Sequence, residues 1–422
     1  MINYFTYNYP AAESSEQPFS VTSELTHAPW SDQHYLLQIG LKGFEPTPAK
    51  SPASNLVFLV DVSGSMRSPE KLGLLKKSLR LLVNQMRAED RVALVVYAGA
   101  AGTVLEATSG AEKAKIMSAI NALEAGGSTH GSAGIKLAYA MANQSKIKGG
   151  INRVIIASDG DMNVGTVNME ALKNLIEHKR KTGIALTTLG FGSGNYNYAL
   201  MEQLADVGNG NAAYIDSLKE AQKVLVNEMQ STLHTIASDV KIQVEFNPDV
   251  ISEYRLIGYE NRILNREDFK NDKVDAGDIG AGHTVTALYE VVFRGQSAGR
   301  IPTLRYGANK QRDERSTITS DEEIAFVKLR YKEAHGSQSI EINEVINSDR
   351  VAESITSASD DLRFAASVAG FGQILKGGIY TGDWSYPDVL ALARNSRGDD
   401  SHGYRSEFIH LVELAQSLSS MP

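Results

Sequence analysis

Between residues 55 and 237, the sequence alternates short apolar runs with segments of helical periodicity. The apolar runs are LVFLVDV (56–62), RVALVVYA (91–98), RVIIASD (153–159) and IALTTLGFG (184–192). Runs like these are typical of parallel strands that helices cover on both faces of a sheet. Helical patterns are predicted over 72–86, 111–123, 131–144, 168–182 and 217–237. This alternation predicts a doubly wound, mostly parallel α/β domain at about 53–237.

A different pattern follows residue 238. Apolar and polar residues alternate over 240–246, 253–260, 284–293, 302–306 and 324–331. Alternation with a period of two predicts antiparallel strands, so we expect an antiparallel β-sandwich domain over 238–350. A C-terminal helical segment is expected over 351–422. The stretch HYLLQIGLKGF (34–44) reads as a strand without a neighbouring helix, so we expect the N-terminal segment 1–52 to contribute one or more strands to the sandwich.

Composition removes several classes of function. The chain has 422 residues, of which 42% are hydrophobic and 22% are charged, which indicates a globular protein of more than one domain. Its net charge of −8 argues against nucleic-acid binding, which needs a basic face. It has no cysteine, which excludes disulfides and thiolate metal sites. The nine histidines show no H-x-x-x-H spacing, so a zinc hydrolase is not indicated.

Oxygen donors cluster at three points of the predicted α/β domain. Asp61, Ser63 and Ser65 form a D-x-S-x-S element where the first strand ends, Asp159 ends the third apolar run, and Thr129 lies in GGST ahead of a helix. The carboxyl ends of parallel strands meet at one edge of an open sheet, where ligands bind. Carboxylate and hydroxyl oxygens suit a hard divalent cation such as Mg²⁺ or Mn²⁺. We therefore predict that these five residues hold one such cation.

Other interpretations of these residues remain open. Taken alone, D-x-S-x-S also fits a turn whose serines cap the next helix. The pair Asp159 and Asp161 resembles the paired aspartates of some phosphatases, which need Thr or Val where this chain has Asn163. A metal-dependent hydrolase is therefore the lowest-ranked alternative.

The five predicted ligands resemble the metal-ion-dependent adhesion site (MIDAS) of von Willebrand factor type A (VWA) domains, which have a Rossmann-like fold. Further stretches resemble the bacterial YfbK-like family over nearly the whole chain: MINYF, NRVIIASDGDMNVG, GFGSGNYN, GNGNAAYIDSL and EFNPDVISEYRLIGYENR. That family joins a VWA domain to a C-terminal domain of unknown function. In related VWA domains, the residue that matches Thr129 moves between direct and water-mediated coordination as ligand affinity changes.

The resemblance implies a non-enzymatic interaction module. One divalent cation, Mg²⁺ first and Mn²⁺ or Ca²⁺ as alternatives, would capture an Asp or Glu of a partner protein. The runner-up is an adaptor or scaffold that works with an AAA+ ATPase. Because family members usually carry an envelope-targeting, often lipoprotein, signal ahead of MINYF, we expect a bacterial cell-envelope location. The opening MINYFTYNYP itself has neither a basic nor an apolar signal region.

Overall fold

The structure is a computed structural model. It describes residues 1–14, 16–46, 51–98, 100–126, 131–160, 169–192, 196–228, 231, 234–258, 264–272, 274, 276–296, 299–301, 322–333, 336, 338–352 and 354–419. The chain divides into two compact units. The α/β unit is Pro46–Thr235, and the sandwich unit combines Met1–Glu45 with Ile236–Pro422.

The elements are numbered in chain order. The strands are β1 Phe19–His27, β2 Tyr35–Gly43, β3 Ser54–Asp61, β4 Arg91–Tyr97, β5 Ala101–Ser109, β6 Ile151–Ser158, β7 Ala185–Phe191, β8 Ala212–Ile215, β9 Thr235–Phe246, β10 Ile251–Ile257, β11 Gly277–Gly280, β12 Thr284–Phe293, β13 Glu323–Glu333 and β14 Ser339–Asn347. The α-helices are α1 Leu74–Gln85, α2 Lys113–Asn121, α3 Gly131–Gln144, α4 Met169–Lys181, α5 Tyr198–Val207, α6 Leu218–Gln222, α7 Asp360–Leu375, α8 Tyr386–Asn395 and α9 Tyr404–Ser419.

The α/β unit is built on a six-stranded sheet with the order β5-β4-β3-β6-β7-β8. All neighbouring strands run parallel except β5, which pairs antiparallel with β4. Successive residues of β3 enter different cores: Phe58 packs in one cluster with Leu75 of α1, and Val57 packs in the other with Ile135 of α3. Burial on both faces explains the continuous apolar runs and confirms the predicted fold class.

Several parts of the α/β unit differ from the sequence prediction, which contained neither α5 nor β8. The edge strand β5 was not predicted, because its sequence AGTVLEATS mixes exposed polar residues with buried Leu105. The helix predicted over 217–237 is wrong at its C-terminal end. Among the described residues, helical structure covers α6, a π-helical turn to Asn227 and Ser231, and a strand begins at Thr235. Residues Thr235 to Ala237 instead begin β9, where buried Ala237 pairs with Glu333 of β13.

The sandwich unit consists of two antiparallel four-stranded sheets, with the orders β1-β2-β12-β10 and β11-β9-β13-β14. Strand β2 lies between β1 and β12, so Leu37 is opposite Leu25 on one side and Tyr289 on the other. Leu37 also belongs to a buried cluster with Val327 of the second sheet. Strands β1, β11 and β14 were not predicted, and the strand predicted over 302–306 lies outside the described residues.

Three helices, α7, α8 and α9, cover the first sheet of the sandwich unit. The residue of β2 that precedes Leu37, Leu36, packs in a cluster with Phe364 of α7 and Phe408 of α9. Strand β2 is therefore buried on both faces, which explains its run of apolar residues. Among the helices of the described residues, none combines the length and apolar character that a bilayer crossing requires.

Candidate metal site

Neighbouring strand ends bring four of the five predicted ligands together at one edge of the α/β sheet. Strand β3 ends at Asp61 and lies beside β6, which ends at Ser158, so that Asp159 begins the adjoining loop. Asp61 is fully buried, Ser63 and Asp159 are almost fully buried, and Ser65 is exposed. The donors thus extend from the buried end of the sheet to the protein surface.

Three donors hold the Asp61 carboxylate in place. The Ser63 backbone N–H donates to Oδ1 at 2.8 Å. The Ser158 hydroxyl donates to Oδ2 at 3.1 Å, and the Tyr97 hydroxyl donates to the same oxygen at 3.3 Å. Tyr97 ends β4, the other neighbour of β3, so three adjacent strand ends fix this one side chain. Such supporting bonds orient a metal ligand before the ion arrives.

Burial disfavours negative charge at this site. Burial raises the pKa of Asp61, and the nearby Asp159 carboxylate raises this pKa further. Hydrogen bonds from Ser63 and Ser158 act in the opposite direction and lower the pKa. Burial, together with the charge of Asp61, also raises the pKa of Tyr97 well above its ordinary value, so that its phenol remains a donor. A cation between Asp61 and Asp159 would offset the repulsion between the two carboxylates.

The two serines supply neutral oxygen donors beside Asp61. The short 3₁₀-helix Gly64–Arg67 follows Ser63, and the hydroxyls of Ser63 and Ser65 lie 3.0 Å apart. The described part of the chain holds no group of three His, Asp or Glu side chains that could bind a metal. This site instead combines two carboxylates with hydroxyl groups, a donor set that fits Mg²⁺ or Mn²⁺.

The predicted ligand Thr129 lies outside the described residues, as does Asp161. The chain before Thr129 does reach the site: the Gly126 N–H donates to the carbonyl oxygen of Val62 at 2.7 Å. This bond joins the loop after α2 to the end of β3, next to Asp61.

Lys71 is a residue of the site that the sequence analysis missed. Its ammonium group donates to Asp159 Oδ2 at 2.7 Å. The residue lies in the π-helical turn Pro69–Gly73 before α1, where nothing in the sequence distinguishes it from other helical lysines. Ser158 and Tyr97 were also missed, because their role depends on the order of strands in the sheet.

An aromatic side chain, Tyr196, packs against the sheet edge next to Asp159. The Tyr196 ring packs on Gly160 and Gly190, where a Cβ atom would lie within 2.5 and 2.2 Å of ring carbons. Gly160 has a φ of +86°, a conformation that glycine adopts without strain. The Tyr214 ring lies 5.1 Å from that of Tyr196. The glycines therefore let an aromatic pair stand next to the predicted metal ligands.

Comparison with known proteins identifies the family. A family model described as "von Willebrand factor type A domain" matches residues 55–230, one described as "von Willebrand factor" matches 1–38, and one described as "Uncharacterized protein YfbK, C-terminal" matches 231–418. The relative "Uncharacterized protein YfbK" of Escherichia coli (strain K12) is 44% identical over 427 residues, which covers 100% of this chain and 73% of the relative. The chain belongs to the YfbK family.

More distant similarities of this YfbK-family chain concern parts of other proteins. Inter-alpha-trypsin inhibitor heavy chain H3 of Homo sapiens is 25% identical over 267 residues, which covers 59% of this chain and 29% of the heavy chain. The solved structure "von Willebrand factor type A from Catenulispora acidiphila" is 15% identical with a TM-score of 0.45, and the similarity covers 90% of this chain and 87% of that one.

These matches confirm the resemblance that the sequence motifs indicate. The chain carries a VWA domain, which is typically a protein-interaction module. A domain of the YfbK C-terminal type follows it.

Proposed function

We propose that this YfbK-family protein is a non-enzymatic, divalent-cation-dependent protein-binding module. Five residues would hold the cation: Asp61, Ser63, Ser65, Thr129 and Asp159. When bound, the ion supplies positive charge and an open coordination position for an Asp or Glu of the partner. The observation that carries the proposal is the buried, pre-oriented Asp61 carboxylate, which shares one sheet edge with two serine hydroxyls and Asp159.

The charge of the donor set supports capture of an acidic group. Asp61 and Asp159 contribute two negative charges, whereas Ser63 and Ser65 contribute neutral oxygens. The two carboxylates neutralise a divalent ion without adding excess negative charge. A carboxylate of a partner protein is therefore still attracted to the ion at short range. The exposed Ser65 places this attraction at the surface, where a partner can reach it.

The hydrogen bonds of Asp61 support a role as a fixed metal ligand. Here Oδ1 accepts from Ser63, and Oδ2 accepts from both Ser158 and Tyr97. An anion fixed in this way is suited to holding a cation in a constant position.

A pull-down tests the proposed function. We propose the bacterial cell envelope as the source of the partner, so envelope extract is passed over the immobilised protein in Mg²⁺ and then in EDTA. A specific partner is expected to bind in Mg²⁺, to elute with EDTA, and to lose binding when one of its own Asp or Glu residues is replaced. Capture that EDTA does not affect would contradict the proposal. An ATPase that co-purifies would favour the adaptor alternative.

Thr129→Ala is expected to weaken partner binding more than metal binding. In related VWA domains this threonine changes its coordination as the ligand binds, so its hydroxyl should matter most in the complex. We expect partner affinity to fall about tenfold and Mn²⁺ affinity to fall less than about threefold. Surface plasmon resonance measures the partner affinity and calorimetry measures the Mn²⁺ affinity. Ser128→Ala is the control in both experiments. An equal loss in both would make Thr129 an obligatory metal ligand.

A further inference from the structure

Lys71 already supplies a positive charge at the candidate metal site. Its Nζ lies 2.7 Å from Asp159 Oδ2, and the Lys71 and Asp159 side chains are 18% and 3% exposed. Because both groups are largely removed from water, this contact is stronger than an ordinary surface ion pair. The carboxylate that would bind a divalent ion is therefore already paired with a cation.

The position of Lys71 is set by the fold. Its stem lies across Gly192, the residue after β7, where a Cβ atom would come within 2.4 Å of Lys71 Cγ. Gly192 has a φ of +82°, which glycine adopts without strain. Lys71 itself lies in the π-helical turn Pro69–Gly73, a type of irregularity that is frequent at functional sites. The ammonium is thus directed at Asp159 by packing along its whole stem.

We propose that Lys71 is a built-in counter-cation that neutralises Asp159 while the site holds no metal and competes with a divalent ion for that carboxylate. The proposal rests on the cation site proposed above. Without any cation, Asp61 and Asp159 would repel each other in a region of low exposure. Lys71 relieves this repulsion. An ammonium and a divalent ion at the same carboxylate would repel each other, so the ion binds more tightly when Lys71 releases Asp159.

This competition sets the ion concentration at which the site fills. A divalent ion that binds Asp159 competes with the hydrogen bond from Lys71 to this carboxylate. Removing the ammonium should therefore tighten metal binding, although it also removes an interaction that stabilises the metal-free protein. A purely structural ion pair would behave differently, because its loss would lower stability equally with and without metal.

The test uses the full chain with Lys71→Met, which removes the charge and keeps an apolar stem against Gly192. Lys77→Met is the matched control, because Lys77 is an exposed lysine of α1 and its loss changes the net charge equally. Titration calorimetry with MnCl₂ should show about tenfold tighter binding in Lys71→Met, and a change of less than about twofold in Lys77→Met. Lys71→Gln provides a second variant should Lys71→Met not fold.

Thermal unfolding gives an independent readout. In EDTA, Lys71→Met should unfold at a lower temperature than the wild type, and saturating Mg²⁺ should close this gap. Equal Mn²⁺ affinities in the wild type and both Lys71 variants would overturn the role of Lys71 and leave the proposed function standing. If neither the wild type nor the variants bind Mn²⁺, the proposed function fails and the role of Lys71 fails with it.

Discussion

Replacement of Asp61 by Ala is expected to reduce Mn²⁺ affinity at least about a hundredfold, measured by titration calorimetry. Asp61 is the most deeply buried of the predicted ligands that the structure describes, and three donors fix its orientation. Its loss removes both a Coulomb attraction and the group that aligns the site. Asp61→Asn should give a similar loss, because it preserves the size of the side chain and removes only its charge.

The control for this prediction is Glu106→Ala. Glu106 is an exposed acidic residue of β5, so its loss changes the net charge equally without altering the strand ends. The metal-free Asp61→Ala protein should still fold, because burial already disfavours the ionised Asp61 carboxylate. Mn²⁺ affinity that stays the same in Asp61→Ala and Asp61→Asn would remove Asp61 from the site.

Phe364→Ala should destabilise the sandwich unit by about 3–5 kcal/mol. Its ring lies 5.0 Å from that of Phe5 and 5.5 Å from that of Phe408, both edge to face, and the Arg405 guanidinium lies 4.6 Å from its centroid. The side chain is fully buried, so truncation leaves a cavity among three elements of the chain.

Tryptophan fluorescence reports the unfolding of the sandwich unit, which contains Phe364. The chain has two tryptophans, Trp30 and Trp384, and both belong to the sandwich unit, with ring centroids 5.5 Å apart. Urea unfolding followed by their emission should show the full loss in Phe364→Ala. Leu414→Ala, which alters an exposed residue of α9, should change stability by less than about 0.5 kcal/mol. Similar midpoints for the two variants would show that the Phe364 cluster contributes little.

Elements buried on both faces could be predicted from the sequence because their residues are apolar throughout. This holds for β3, whose successive residues Phe58 and Leu59 pack in different clusters. The prediction fails for β5, where an edge position leaves only two of the nine residues buried. It also fails where helix changes to strand, because Thr235 to Ala237 fit a helical pattern and only pairing with β13 makes them a strand.

Some residues of the candidate site could be predicted from the sequence and others could not. Asp61, Ser63 and Ser65 are close in sequence, so their spacing alone indicates a shared role. The supporting residues Tyr97 and Ser158 come from the strands on either side of β3, and the strand order is a property of the whole sheet. Lys71 reaches Asp159 only because Gly192 makes room for its stem. Such contacts depend on residues that are distant in sequence.

A crystal of the protein grown with MnCl₂ and measured for the anomalous scattering of manganese tests the central claim most directly. The account predicts one strong anomalous peak in the α/β unit, bounded by Asp61, Ser63, Ser65 and Asp159, with the Lys71 ammonium moved away from Asp159. A manganese peak elsewhere in the α/β unit, or no peak at this sheet edge while Lys71 still contacts Asp159 at saturating Mn²⁺, would contradict it.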